Sequence, residues 1–196
     1  MIIGLTGGIA TGKSTVSNYL QEKYAIPVLD ADIIARDAVK INSSIYYNII
    51  DRYGENILLN DGNLNRNKLG NIIFNNYAEK IWLESKIHPF VRDSFERKIQ
   101  ELSNPIIILS IPLLFEANMT DLVDQIWVIN CDFATQLDRL KSRNNLTQKQ
   151  AVDRINSQMP LSEKVKKADI VIDNNHNLLE LYDRIDEIMS IESNKN

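Results

Sequence analysis

Eight residues constrain this chain more than all the others: Gly7-Gly8-Ile9-Ala10-Thr11-Gly12-Lys13-Ser14. They fit G-x-x-x-x-G-K-[ST], the phosphate-binding loop. In such a loop successive backbone N–H groups turn inward onto phosphate oxygens. Gly12 allows a conformation and a close approach that a Cβ would obstruct. The helix that opens at Lys13 presents its positive end and unpaired amides to the anion. Lys13 reaches the β- and γ-phosphates, and the Ser14 hydroxyl joins the shell of a Mg²⁺ ion. The context distinguishes this from a chance glycine turn. The apolar run Met1–Thr6 reads as a buried strand, and Val16, Tyr19, Leu20 and Tyr24 recur at helical spacing after Lys13.

A second short strand, Ile26–Leu29, leads to Asp30-Ala31-Asp32. The chain then reads as helical. Ile45, Ile49, Ile50 and Tyr53 share one face, and Leu69, Ile72 and Ile73 another. A third stripe, Val91, Phe95, Ile99 and Leu102, is expected to begin just after Pro89, where a first helical turn tolerates the missing N–H. Asn60-Asp61-Gly62-Asn63 is a turn. Strand signals return at Pro105–Ser110, Gln125–Cys131 and Ile170–Ile172. Between the last two lie a helix carrying Phe133, Leu137 and Leu140 and another opened by the capping-box pattern at Thr147–Gln150. Leu178, Leu181, Ile185 and Ile188 form a closing helix, and Ser190–Asn196 is expected to fray. Short apolar strands separated by helices predict a parallel sheet covered on both faces, with ligands beyond the strands' C-terminal ends.

Composition narrows the possibilities further. With 196 residues, 44% hydrophobic and 24% charged, the chain is an ordinary globular domain with room for an insertion. No apolar run approaches the ~18 residues of a membrane span. Met1-Ile2-Ile3-Gly4 lacks the basic start of a secretory signal. The one cysteine, Cys131, excludes an internal disulfide and a Cys-rich zinc site, which suits a reducing cytoplasm; it reads as a small residue at a strand end. A net charge of −4 argues against nucleic-acid binding. Yet Arg139–Lys167 holds eight Lys or Arg against two acids. That run is either a solvated helical surface or a surface for something negative. Oligomeric state is not legible.

Two constellations bear on chemistry. Asp30 and Asp32 are two apart, so in extended chain they point the same way. A carboxylate near a phosphate loop can orient an acceptor hydroxyl and take its proton; equally, Asp32 can be a helix N-cap. Arg139 and Arg143 are spaced i, i+4 on one helix face, and Arg154 lies on the next helix. They are either surface charges or part of a hinged pair that closes over a nucleotide and offsets charge on the moving phosphoryl group. A GTPase would need N-K-x-D. Asn67-Lys68-Leu69-Gly70 lacks the Asp, and Asp51-Arg52-Tyr53-Gly54 lies in a helical block.

Taken together, Gly4–Thr15, Asp30-Ala31-Asp32-Ile33-Ile34-Ala35-Arg36, Ile87-His88-Pro89, Ile111-Pro112-Leu113-Leu114-Phe115-Glu116, Gln136–Arg143, Arg154-Ile155-Asn156-Ser157-Gln158 and Ala168–Ile172 resemble the dephospho-CoA kinase family. The likeness covers nearly the whole chain in the family's order. It departs at Ala10, usually glycine in that family; a methyl group fits there if φ is negative.

The resemblance implies a P-loop kinase fold of the α/β class, a parallel sheet flanked by helices. The nucleotide-binding core would be 1–40, 104–134 and 168–196. Residues 41–103 would be a helical acceptor-binding insertion, and 135–167 a basic helical lid. It implies transfer of the ATP γ-phosphoryl to the ribose 3′-hydroxyl of dephospho-CoA, the last step of coenzyme A biosynthesis. Gly8, Ala10, Thr11, Gly12, Lys13, Ser14 and Thr15 would hold ATP with Arg139 and Arg143, and Ser14 would touch Mg²⁺. Asp32 would be the base, assisted by Lys13 and Arg139. Asp30, Asp32, Arg36 and His88 would face the acceptor. His88 can instead be packing at a helix start. Glu116 is either a loop carboxylate or a partner for metal or arginine. The alternatives are another P-loop nucleotide or metabolite kinase and a nucleotide-dependent switch protein.

Overall fold

The computed structural model describes residues 1–193. Its central strand is β1 (Ile2–Gly7), buried from Ile3 onward. β1 pairs in parallel with β3 (Ile107–Ser110) on one side and β4 (Gln125–Asn130) on the other. β2 (Val28–Asp30) and β5 (Ile170–Asp173) complete the order β2-β3-β1-β4-β5. A strand flanked on both edges and covered on both faces must be apolar throughout, which is why Ile3 and Leu5 are fully buried.

Helix α1 (Lys13–Tyr24) buries Val16 and Leu20 against this sheet, together with Ile3, Leu5, Trp127 and Ile129. Each such side chain contributes about 1.5–3 kcal/mol. The far end of α1 is tied to α9 (Leu178–Ser193), where Asp186 accepts from Tyr19 Oη at 2.9 Å, Tyr24 Oη at 2.7 Å and Lys23 Nζ at 2.5 Å. Burial would raise the Asp186 carboxyl, but these three donors together hold it below its ordinary value. Burial, followed by the bond to Asp186, pushes the Tyr24 phenol up to about 12. Fraying from Ser190 onward is not observed within the described residues. Helix α9 continues to Ser193, with Glu192 buried and accepting from Gln125 Nε2 at 3.1 Å. Residues 194–196 lie outside the described part.

The chain divides into two compact units, one of Met1–Leu29 with the described residues from Ser103 onward, the other Asp30–Leu102. The second is helical: α2 (Ala31–Ala38), α3 (Ser44–Tyr53), α4 (Arg66–Asn75) and α5 (Tyr77–Glu101). Ser43, Asn65 and Asn76 cap α3, α4 and α5 through their side-chain oxygens. Ile45, Ile49, Ile57, Leu69 and Leu83 form its core. The Asn60–Asn63 turn is closed by Asp61 accepting from Asn63 N at 2.9 Å, between bridged Leu58 and Leu64.

Pro89 does not open a helix, contrary to expectation. It lies inside the 25-residue α5. Buried Leu83 on one side, and Val91 and Phe95 on the other, anchor both halves of α5 despite the missing bond.

In the first unit, α6 (Phe133–Asn144) is capped by Asp132, which accepts from Thr135 N at 2.7 Å. Helix α7 (Gln148–Asn156) carries the full capping box of Thr147 and Gln150. A further short helix, α8 (Leu161–Lys166), was not legible. No helix among the described residues is long and apolar enough to cross a membrane.

Glu79, in the first turn of α5, accepts the Arg52 fork at 2.6 and 2.9 Å and Tyr53 Oη at 2.6 Å. Hydrogen bonds from Arg52 and then Tyr53 pull its carboxyl down from 4.5 to about 2. The folded value is depressed, so this contribution is present above the unfolded pKa and is lost as pH falls from about 4.5 to about 2. Urea titrations followed by tryptophan fluorescence are expected to show Glu79→Gln less stable at neutral pH, with the difference closing across that window. A gap independent of pH contradicts the linkage.

Candidate active site

The phosphate loop joins β1 to α1. Gly12 occupies the N-cap of α1 at φ 103°, in the left-handed region, and no side chain caps the helix. The N-cap thus supplies no side-chain acceptor and the first turn holds no acid, an arrangement suited to an anion. A Cβ on Gly12 would sit 2.1 Å from Asn174 Nδ2. That amide, just beyond β5, donates to Thr11 O at 2.7 Å. Thr11 in turn bonds Gly8 O through its hydroxyl at 2.9 Å and closes the loop upon itself.

Ala10 has φ 63°, so the condition under which its methyl would be indifferent is not met. A non-glycine residue there costs about 1–2 kcal/mol. The neighbouring peptides are held by side chains: Gln158 Oε1 accepts from Ile9 N at 2.9 Å, and Gln136 Nε2 donates to Ile9 O at 2.8 Å.

Lys13 Nζ donates to the buried Ser110 hydroxyl at the end of β3. Ser14 is exposed in the first turn, with Thr15 beside it half-buried. On α6, Arg139 carries a buried Nη1 with no hydrogen-bond partner among the described residues, an orphan that suits an anionic ligand. Burial pushes the neighbouring Cys131 thiol up, and Arg139 only partly opposes this. Arg143, one turn on, is exposed and donates to Asn144 Oδ1 at 2.9 Å. A cavity of about 870 Å³ opens against Gly8, Cys131, Gln136, Gln158, Met159 and Lys166.

Within the second unit, Asp30 and Asp32 have separate surroundings. Asp30 ends β2 and caps α2, accepting from Asp32 N at 2.8 Å and Ile33 N at 3.2 Å. Asp32 therefore is not the cap, and the two acids do not alternate in extended chain. Asp32 lies in the first helical turn, exposed on the same face as Arg36. Half-buried His88 lies within α5, which packs on α2, so its placement is mid-helix and not at a helix start.

Glu116 accepts from Met159 N at 3.0 Å and pairs with Lys164 Nζ at 2.9 Å. Lys164 is fully buried and also donates to Pro112 O at 2.8 Å. The pair fastens α8, and the Met159 bond the segment before it, to the loop after β3. Sequence reasoning assigned no role to Ser110 or Asn174, and it counted Lys164 among the surface charges. Gln136 and Gln158 stood only inside quoted motifs.

The chain matches a family model described as dephospho-CoA kinase over residues 1–180. A dephospho-CoA kinase of Trichormus variabilis is 55% identical over 191 residues, covering 97% of each chain. The solved dephospho-CoA kinase from Campylobacter jejuni superposes with a TM-score of 0.75 at 28% identity, over 100% of this chain and 98% of that one. Shikimate kinase from Aquifex aeolicus shares the P-loop kinase fold at a TM-score of 0.56 and 20% identity, over 100% and 98% of the two chains.

Two substitutions test the site's framework. Gly12→Ala is expected to cost about 1–2 kcal/mol from the left-handed backbone alone and to weaken ATP binding by displacing Asn174; calorimetric titration and thermal melting check both. Lys164→Ala strands Glu116 beside an apolar gap and is expected to cost about 3 kcal/mol, the low end for a broken buried pair because Glu116 is partly solvated. A denaturation midpoint equal to wild type contradicts the buried pair.

Proposed function

Because the chain belongs to the dephospho-CoA kinase family, we infer that it transfers the γ-phosphoryl group of ATP to the ribose 3′-hydroxyl of dephospho-CoA, giving CoA and ADP. The observation that carries this reading is the uncapped N-terminus of α1 behind a left-handed Gly12. It offers fixed main-chain donors to a polyphosphate, on a chain that matches the family over residues 1–180.

The residues then take the following parts. Gly8, Ala10, Thr11, Gly12, Ser14 and Thr15 cradle the ATP phosphates, and Lys13 follows the charge of the moving phosphoryl group. Arg139 offers its buried, unpartnered Nη1 to the nucleotide, and Arg143 extends the same helix face. Residues 135–167 serve as the lid over the nucleotide. The described residues contain no cluster of three or more acidic, His or Cys side chains fit for a metal. That suits Mg²⁺, which keeps its waters and the substrate's phosphates and asks the protein for few ligands. Ser14 Oγ is the protein oxygen that would hold it, and the ion would supply neutralisation of the ATP phosphate charge.

Asp32 orients the acceptor hydroxyl and takes its proton. Asp30 already satisfies the amides at the start of α2, so Asp32 is not needed as the cap. Arg36, on the same exposed face, and His88, on the helix packed against it, bind the acceptor with Asp30 and Asp32. The acceptor-binding part comprises residues 41–103.

The test supplies ATP, Mg²⁺ and dephospho-CoA and measures ADP and CoA together, with AMP and shikimate as rival acceptors. Turnover is expected with dephospho-CoA alone. Folded protein that makes no CoA rejects the reading. Asp32→Asn is expected to keep ATP binding and lose about 10²-fold or more in kcat; unchanged turnover removes Asp32 from proton transfer.

A further inference from the structure

The peptide planes on both sides of Ile9 are gripped by glutamine side chains from different elements. Gln136 comes from α6 and donates to Ile9 O at 2.8 Å. Gln158 comes from the stretch between α7 and α8 and accepts from Ile9 N at 2.9 Å. Gln136 is buried at 4% exposure, and Gln158 is half-buried. The absent Cβ at Gly8 makes room, since one would lie 2.5 Å from Gln136 Nε2.

The residue after Ile9 is Ala10, held at φ 63°. This conformation is unfavourable for alanine and does not persist unless its surroundings impose it. The Gln136 bond fixes the carbonyl of the Ile9–Ala10 peptide, and the Gln158 bond fixes the amide of the Gly8–Ile9 peptide. Between them they determine the direction in which the chain enters Ala10.

Gln158 is itself held in place. Its neighbour Met159 donates from N to Glu116, which pairs with buried Lys164. A displacement of the α7–α8 segment therefore withdraws an acceptor from the phosphate loop.

We propose that Gln136 and Gln158 are positioning residues that hold Ala10 left-handed before the nucleotide arrives, and that Gln158 makes the loop's shape depend on the seating of the α7–α8 segment. The proposal rests on reading residues 7–14 as the ATP phosphate cradle. The glutamines need not touch the phosphates; they pre-arrange the amides that do, so their loss is felt in nucleotide affinity more than in the chemical step.

The test is a double-mutant cycle between position 158 and position 10. Gln158→Leu is expected to raise the Kd for ATP, and KM for ATP, by about tenfold, the scale of one lost internal hydrogen bond. Over the same comparison kcat at saturating ATP should fall less than KM rises. In an Ala10→Gly background the same substitution should cost markedly less, because glycine adopts the left-handed turn unaided. Equal losses in the two backgrounds, or an unchanged Kd, overturn the proposal. If Gln158→Leu does not melt cooperatively, Gln136→Met is judged by the same cycle. Hydrogen exchange on the nucleotide-free wild type gives a reading without mutation: a protected Ile9 amide supports the clamp, and a freely exchanging one overturns it. Wild-type protein that fails to bind ATP sinks the cradle itself. Wild type that binds ATP, with variants indifferent at 136 and 158, sinks the clamp alone.

Discussion

The residue before α1 gives the helix no side-chain cap, and much of the first unit is arranged around that fact. A helix start without a side-chain cap is costly unless water or a ligand supplies the oxygens. Here Gly12 turns left-handed where a cap would otherwise stand, and Asn174 holds the preceding carbonyl so that the turn cannot relax. Donors fixed in this way meet an anion without reorganising, which makes them effective both in binding and in stabilising developing charge. The buried β1 fixes one end of the loop. The tyrosine and lysine donors converging on Asp186 fix the far end of α1.

A second constraint is the buried charge of Lys164. Removing an ammonium from water is expensive, and the partial exposure of Glu116 limits what the pair returns. Such a pair is better explained by specificity than by stability. An apolar side chain in that position would pack, but it would not define how the α7–α8 segment seats on the Ile111–Glu116 loop. The extra bond from Met159 to the same carboxylate adds a backbone contact to the side-chain one.

What could be read in advance depended on whether the signal was local. Helix α1 was legible in both its limits because Gly12, Lys13 and the apolar spacing all lie within it or directly before it. The Thr147–Gln150 box was legible because a capping box involves only four residues. Asp30 and Asp32 were legible as a pair, but their division of labour was not: which of them caps depends on where β2 yields to α2, a matter of one residue. Pro89 misled because the local rule was outweighed by burial of Leu83, Val91 and Phe95. The basic run from Arg139 to Lys167 concealed two different situations. Lys166 is exposed and pairs with Glu163, whereas Lys164, two residues earlier, is fully buried. Nothing in a charge count separates them, because the carboxylate that receives Lys164 lies 48 residues away. The roles of Gln136, Gln158 and Asn174 were hidden for the same reason: their partners are main-chain groups of a loop more than a hundred residues distant.

The register of the sheet also bears on how the chain is made. Ile2 lies opposite Ile107, and Ile3 opposite Gln125. During synthesis the central strand leaves the ribosome before both its partners and waits unpaired until roughly a hundred further residues have followed it. Its exposed apolar edge is then a liability to a nascent polypeptide, and closing so long an intervening loop is slow. The element on which nucleotide binding depends is thus translated well before the strands that complete it.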